Sequence, residues 1–130
     1  MQNIKGNTGL ALLLIRLAVG GVFLAHGVAK LLSLDMTISF FGSLGLPAFM
    51  AYLITAVETL GGLAVLLGVG VQTAGLLLAL VMVGAIYTVK GKMGFLGGYE
   101  FDLTLLLAAL SLSISGPGRY TIKRLLNKNQ

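Results

Sequence analysis

Apolar residues in this chain run in blocks too long for strands and too unbroken for surface helices. Four blocks stand out, at about residues 9–32, 47–67, 71–89 and 99–115. Each approaches the roughly 17–25 residues a helix needs to cross a bilayer at about 1.5 Å per residue. The pattern predicts an all-α integral membrane protein, a four-helix bundle built as one domain over residues 1–130. Between the blocks, residues 33–46 carry Asp35, Gly42 and Gly45 and run into Pro47, which predicts a loop with a short interfacial helix near residues 36–44. Gly68-Val69-Gly70 leaves room only for a tight hairpin, and the stretch KGKMGFLGG at 90–98 reads as a flexible basic loop. The Ser-Gly-Pro-Gly run at 115–118 stops the last helix, because glycine adds backbone freedom and proline lacks an N–H. The C-terminal tail over 116–130 is basic and amphipathic, suited to the membrane surface.

Composition sharpens this picture. Hydrophobic residues make up 57% of the chain and charged residues 10%, against about 25% charged in a soluble domain. Most of the apolar surface must therefore face lipid. The chain has no cysteine and one histidine, His26, which excludes thiol chemistry, iron–sulfur clusters and a multi-histidine metal or haem site within one chain. The net charge of +5 is concentrated near the ends and reads as topology signal and lipid headgroup contact, not as nucleic-acid binding. Ala25-His26-Gly27 has the small-residue form of a signal-peptide cleavage site, but Arg16 interrupts the apolar run before it and more membrane comes after, so the stretch reads as a first span. Four crossings put both termini on one side. Lys5, Arg119, Lys123, Arg124 and Lys128 lie on that side, and Lys30, Lys90 and Lys92 on the other, which predicts a multi-pass protein of the cell membrane with cytoplasmic termini.

Two charges fall inside spans, Arg16 and Glu58. Each costs about 2.5–3.5 kcal/mol at mid-bilayer on insertion scales. Counted from the cytoplasmic ends of their helices they lie at about 10 and 14 Å depth, and each has a glycine four residues later, Gly20 and Gly62. The expectation is an interhelical ion pair, acting as a latch on helix register or, alternatively, as a proton or anion site.

A second cluster is expected at the outer face. His26 and Lys30 are four apart and share one helix face. The fourth span begins at the same level with Tyr99, Glu100 and Asp102, and the third ends there with Tyr87 and Lys90. His26 and Glu100 are the candidate catalytic acid–base pair, and Lys30, Tyr99 and Asp102 the candidate groups for holding a substrate or quinone. The competing reading is ordinary interfacial chemistry, since Tyr and Lys are enriched at headgroup level. A metal at His26, Glu100 and Asp102 has no motif spacing behind it, so no metal is expected.

In order and spacing, RLAVGGVFLAHGVAK (16–30), FFGSLGLP (40–47), ETLGGLAVLLG (58–68) and GGYEFDLTLLLAALSLSISGPGRY (97–120) resemble the DoxX family of small membrane proteins across nearly the whole chain. The resemblance implies a four-helix membrane bundle and an association with membrane redox chemistry, since a related subunit belongs to a thiosulfate:quinone oxidoreductase. No flavin, nicotinamide or haem motif is present, and no covalently bound cofactor is expected; quinone dissolved in the bilayer asks least of the sequence, an apolar groove and a few donors. Three functions compete: a redox-associated subunit acting with quinone and small sulfur anions, a non-catalytic scaffold or anchor for a soluble oxidoreductase, and a small transporter, which would need a homo-oligomer to enclose enough volume.

Overall fold

The computed structural model describes residues 6–129. They form six helices: α1 (Thr8–Leu32), α2 (Leu34–Ser43), α3 (Ala48–Leu67), α4 (Val71–Ala85), α5 (Glu100–Ser115) and the short α6 (Ile122–Asn127). Four segments are long and apolar enough to span a membrane, Thr8–Leu32, Ala48–Leu67, Val71–Met93 and Phe95–Ser115. The fold is thus an all-α membrane bundle, with α2 as the short helix between the first two spans.

The helices start and stop for local reasons. Asn7 caps α1, its side chain accepting from the Leu10 N–H at 3.0 Å. α3 ends in a paired turn: the Gly68 N–H reaches the Val65 carbonyl and the Val69 N–H the Ala64 carbonyl, with Gly68 at φ 77°. That left-handed conformation is what favours glycine after a helix. α4 outlasts its predicted end, widening into a π-type turn at Ile86–Lys90 and tightening at Gly91–Met93. The expected flexible loop over 90–98 is therefore mostly helical turn, and the chain reverses only across Gly94, Leu96, Gly97 and Gly98.

Within the bundle α1 packs most extensively on α3, and α4 on α5, with α3 and α4 joined by the 68–70 hairpin. Glycines let the backbones touch. Gly20 and Gly62 meet where α1 crosses α3, Gly27 lies against Thr59, and Gly75 against the Ala109 carbonyl of α5. Val19, Phe23, Val65, Leu78, Ala109 and Leu112 fill the space between the pairs. Leu14, Leu60, Leu80, Leu107 and Ile114 point outward, as lipid-facing positions should.

One end of the bundle holds the start of α1, the 68–70 hairpin and the chain after α5; Gly9 lies against Arg119 and Tyr120, and Gly68 against Arg16 and Thr121. The other end holds α2, the end of α4 and the start of α5. Among the described residues the first end carries Arg16, Arg119, Lys123, Arg124 and Lys128 and no acid, whereas Asp35, Glu58, Glu100 and Asp102 all belong to the other half. Lys5, which the sequence groups with the terminal basic residues, lies outside the described residues.

Candidate functional site

Arg16 and Glu58 do not pair. Arg16, 1% exposed, spends its guanidinium on four backbone carbonyls. Nε donates to Val65 O at 2.8 Å, Nη2 to Leu66 O at 2.8 Å, and Nη1 to Pro117 O at 3.1 Å and to Tyr120 O. It caps the last turn of α3, where helical carbonyls lack intrahelical partners, and pins the C-terminal segment to it. The expected pair fails for two reasons rooted in antiparallel packing. Gly20 meets Gly62, and because the helices run in opposite directions, four residues back from each glycine leads away from the crossing on opposite sides. Eight residues of rise, about 12 Å, separate the two levels. Helical side chains also lean toward their own N-terminus, so Arg16 and Glu58 point apart. Depth counted from each helix's own end missed this because the helix ends are not level.

The same lean brings Glu58 and Lys30 together. Gly27 against Thr59 sets Lys30 slightly beyond Glu58 on the facing helix, and each side chain leans toward the other. Lys30 Nζ lies 2.7 Å from Glu58 Oε2, with the Glu58 side chain 4% and the Lys30 side chain 27% exposed. A charge-assisted contact this short inside a span cancels both charges locally. The turn at the end of α1 holds the pair in place. The Thr37 hydroxyl donates to Ser33 O at 3.1 Å and to Lys30 O at 3.4 Å, folding α2 back over the bundle.

Lys30 and Glu58 form the polar end of a cavity of about 580 Å³ between α1, α2, α3, α4 and α5. His26, Asp102 and Lys90 also line it, and its other walls are nearly all apolar, Phe23, Phe41 and Phe101 among them. His26 lies one turn before Lys30 on α1, its ring 6.5 Å from the Phe101 ring and tilted by 44°. Asp102, on the first turn of α5, is 7% exposed. Among the described residues it makes no hydrogen bond and no ion pair; the one salt bridge there is Lys30–Glu58.

Of the predicted outer cluster, His26, Lys30 and Asp102 line the cavity, and Glu100 and Tyr99 do not. Glu100 Oε1 instead accepts from the Gly97 N–H at 3.1 Å, tying down the turn before α5, and the Tyr99 ring packs edge-on against Phe95 at 5.4 Å. Residues two apart on a helix do not share a face, so Glu100 and Asp102 could not both have turned inward. Tyr87 is 86% exposed on the outside of the bundle. Sequence reasoning missed Glu58 as the partner of Lys30. The signal was available in the opposed direction of the two glycine-bearing helices.

A family model described as DoxX matches residues 11–91. Three relatives cover most of the chain. "Putative oxidoreductase CatD" of Bacillus subtilis is 47% identical over 104 residues, covering 80% of this chain and 78% of its own. "Uncharacterized membrane protein Rv3486" of Mycobacterium tuberculosis is 39% identical over 130 aligned positions, covering 88% and 80%. "Inner membrane protein YqjF" of Escherichia coli is 31% identical over 121, covering 89% and 92%. No solved structure matches.

Proposed function

This chain belongs to the DoxX family of membrane proteins, and we propose that it binds a membrane quinone in the cavity beneath α2 as a redox-associated subunit. The observation that carries the reading is the cavity itself. About 580 Å³ lies within the roughly 300–1,000 Å³ of small-molecule sites, and apolar walls with a few convergent polar groups are what such sites use. Phe40, Leu53 and Leu80 line it and are about half exposed, so in a bilayer its mouth faces lipid. A ligand dissolved in the membrane enters there without crossing water. The residues present suit a quinone ring: Lys30 has N–H donors left after Glu58, the His26 imidazole can donate or accept a hydrogen bond, and Phe101 offers a flat apolar surface. A bound quinone would supply two-electron, two-proton chemistry. The chain's own part is to seat the ring, keep Lys30 oriented through Glu58, and pass protons at His26. A relative named as an oxidoreductase is consistent with this role. Electrons would have to come from a partner, which makes a soluble oxidoreductase subunit part of the proposal.

The cavity's charges do not favour a small sulfur anion at this spot. Lys30 and Lys90 are balanced by Glu58 and Asp102, and the remaining walls are apolar. A free anion would give up its hydration for no net positive field.

Gly84 provides the test. It lines the cavity, yet a Cβ there meets nothing within 4 Å. Gly84→Phe should fill part of the cavity without disturbing helix packing. A short-chain ubiquinone titrated into purified protein in lipid nanodiscs should bind saturably, and Gly84→Phe should weaken it about tenfold or more, a loss of roughly 1.4 kcal/mol. No saturable binding, or binding indifferent to Gly84→Phe, would move the choice to the non-catalytic anchor.

The proposal includes cytoplasmic termini, which would put the polar end of the cavity in the outer half of the membrane. The terminal end carries Arg119, Lys123, Arg124 and Lys128 without an acid, and Lys/Arg excess marks the cytoplasmic side. A fluorescent protein fused after Gln130 should fluoresce, and alkaline phosphatase at the same place should be inactive. The opposite pair of results would invert the topology.

A further inference from the structure

The cavity's polar groups are unevenly satisfied, and the imbalance points to one redox form of the ligand. Asp102 is 7% exposed and lines the cavity, yet neither His26, Lys30, Lys90 nor any other described residue donates to it. An ionised carboxylate is acceptor-only, so a ligand that brings a donor into the cavity gains a hydrogen bond there that no side chain supplies. The second carboxylate adds to the surplus, since Glu58 holds Lys30 through Oε2. The donors are in a different position. The Lys30 side chain is 27% exposed, whereas Asp102, in the lining with Phe101 and Leu105, is 7% exposed. Asp102 also stands on the first turn of α5, where the positive end of the helix dipole suits a negative group.

We infer that Asp102 makes this site selective for the reduced, hydroxyl-bearing form of its ring ligand, the quinol, by accepting a hydrogen bond from a ring O–H. This rests on the quinone reading of the cavity and specifies it. A quinone has two carbonyl acceptors and no donor, so it fills the cavity and leaves Asp102 unpaired. A quinol has the same shape and carries two O–H donors, one for Asp102 and one whose oxygen can still accept from Lys30 or His26. A site built to bond a hydroxyl discriminates strongly against the analogue that lacks it. Preferential binding of the reduced form raises the midpoint potential of the bound couple, by about 30 mV for each tenfold preference in a two-electron couple.

The test compares the affinities of short-chain ubiquinone and of its quinol, kept reduced under argon, for the full-length protein in nanodiscs. The quinol should bind about tenfold more tightly. In Asp102→Asn, whose amide offers both a donor and an acceptor, the ratio should fall toward one while the affinity for the quinone holds or improves. The wild-type ratio decides by itself if the variant does not fold. Equal affinities, or a preference for the quinone, would overturn the inference and leave the quinone site standing. Binding of neither form would overturn the site and the inference together. An Asp102→Asn protein that keeps the wild-type ratio would remove Asp102 as its cause.

Discussion

Replacing Arg16 with leucine should abolish a stably folded bundle, or lower its thermal midpoint in detergent by roughly 10 °C or more. Leucine suits the lipid phase far better than arginine, so a hydropathy argument alone predicts the opposite. The guanidinium, however, holds the carbonyls of Val65, Leu66, Pro117 and Tyr120, and these belong to two segments far apart in sequence. Backbone groups left unsatisfied within a bilayer cost several kcal/mol each, because no water is there to replace the donor. Hydrogen bonds to a charged partner are worth about 1.5–3 kcal/mol each. Even with strong non-additivity, several kcal/mol are at stake, and a degree of midpoint change corresponds to a few tenths of that unit for a chain of this size. Arg16→Lys keeps the charge but not the planar five-donor fork, so it should fall between wild type and leucine. A leucine variant with a wild-type midpoint would show that the carbonyls find other partners and that Arg16 is dispensable.

That role bears on what the sequence reveals. The spans were legible, because an apolar block of bilayer length has few alternative readings. The turn at Gly68 was legible for a similar reason, since a helix stop and a left-handed residue coincide there. The pairing of the buried charges was not. Hydropathy places a residue along its own helix, but contacts depend on the offset between helices, and the close approach of Gly20 to Gly62 sets that offset. Arg16 and Glu58 look matched on a depth scale and lie on opposite sides of the crossing. Lys30, expected in the outer cluster with His26 and Glu100, instead takes Glu58 as its partner, because a side chain late in an outgoing helix leans back into the membrane. Asp102 illustrates the same limit at shorter range. Sequence brought Glu100 and Asp102 to one level, and only the rotation of α5 decides which of them turns inward.

Gly62 should therefore be among the least replaceable small residues in the bundle, and Gly62→Leu should be as damaging as the loss of Arg16. A Cβ on Gly62 would come within 2.5 Å of the Leu24 backbone nitrogen and 3.0 Å of the Gly20 carbonyl oxygen. Those are main-chain atoms, which move only if the whole helix moves. Gly21 supplies the control, because a Cβ there meets nothing within 4 Å. Gly21→Leu should leave stability unchanged or raise it slightly, leucine being the better helix former by about 0.8–1 kcal/mol. Overpacking at Gly62 costs about 1–3 kcal/mol or more before any rearrangement. The damage should also reach the ligand site. Separating α1 from α3 draws Lys30 away from Glu58, leaving a carboxylate with 4% exposure unpaired inside the membrane. The milder Gly62→Ala should thus weaken quinone binding in protein that still folds, with Gly21→Ala matching wild type on both counts. If Gly62→Ala and Gly21→Ala prove equal in thermal midpoint and in ligand affinity, the glycine crossing does not set the register that builds the site.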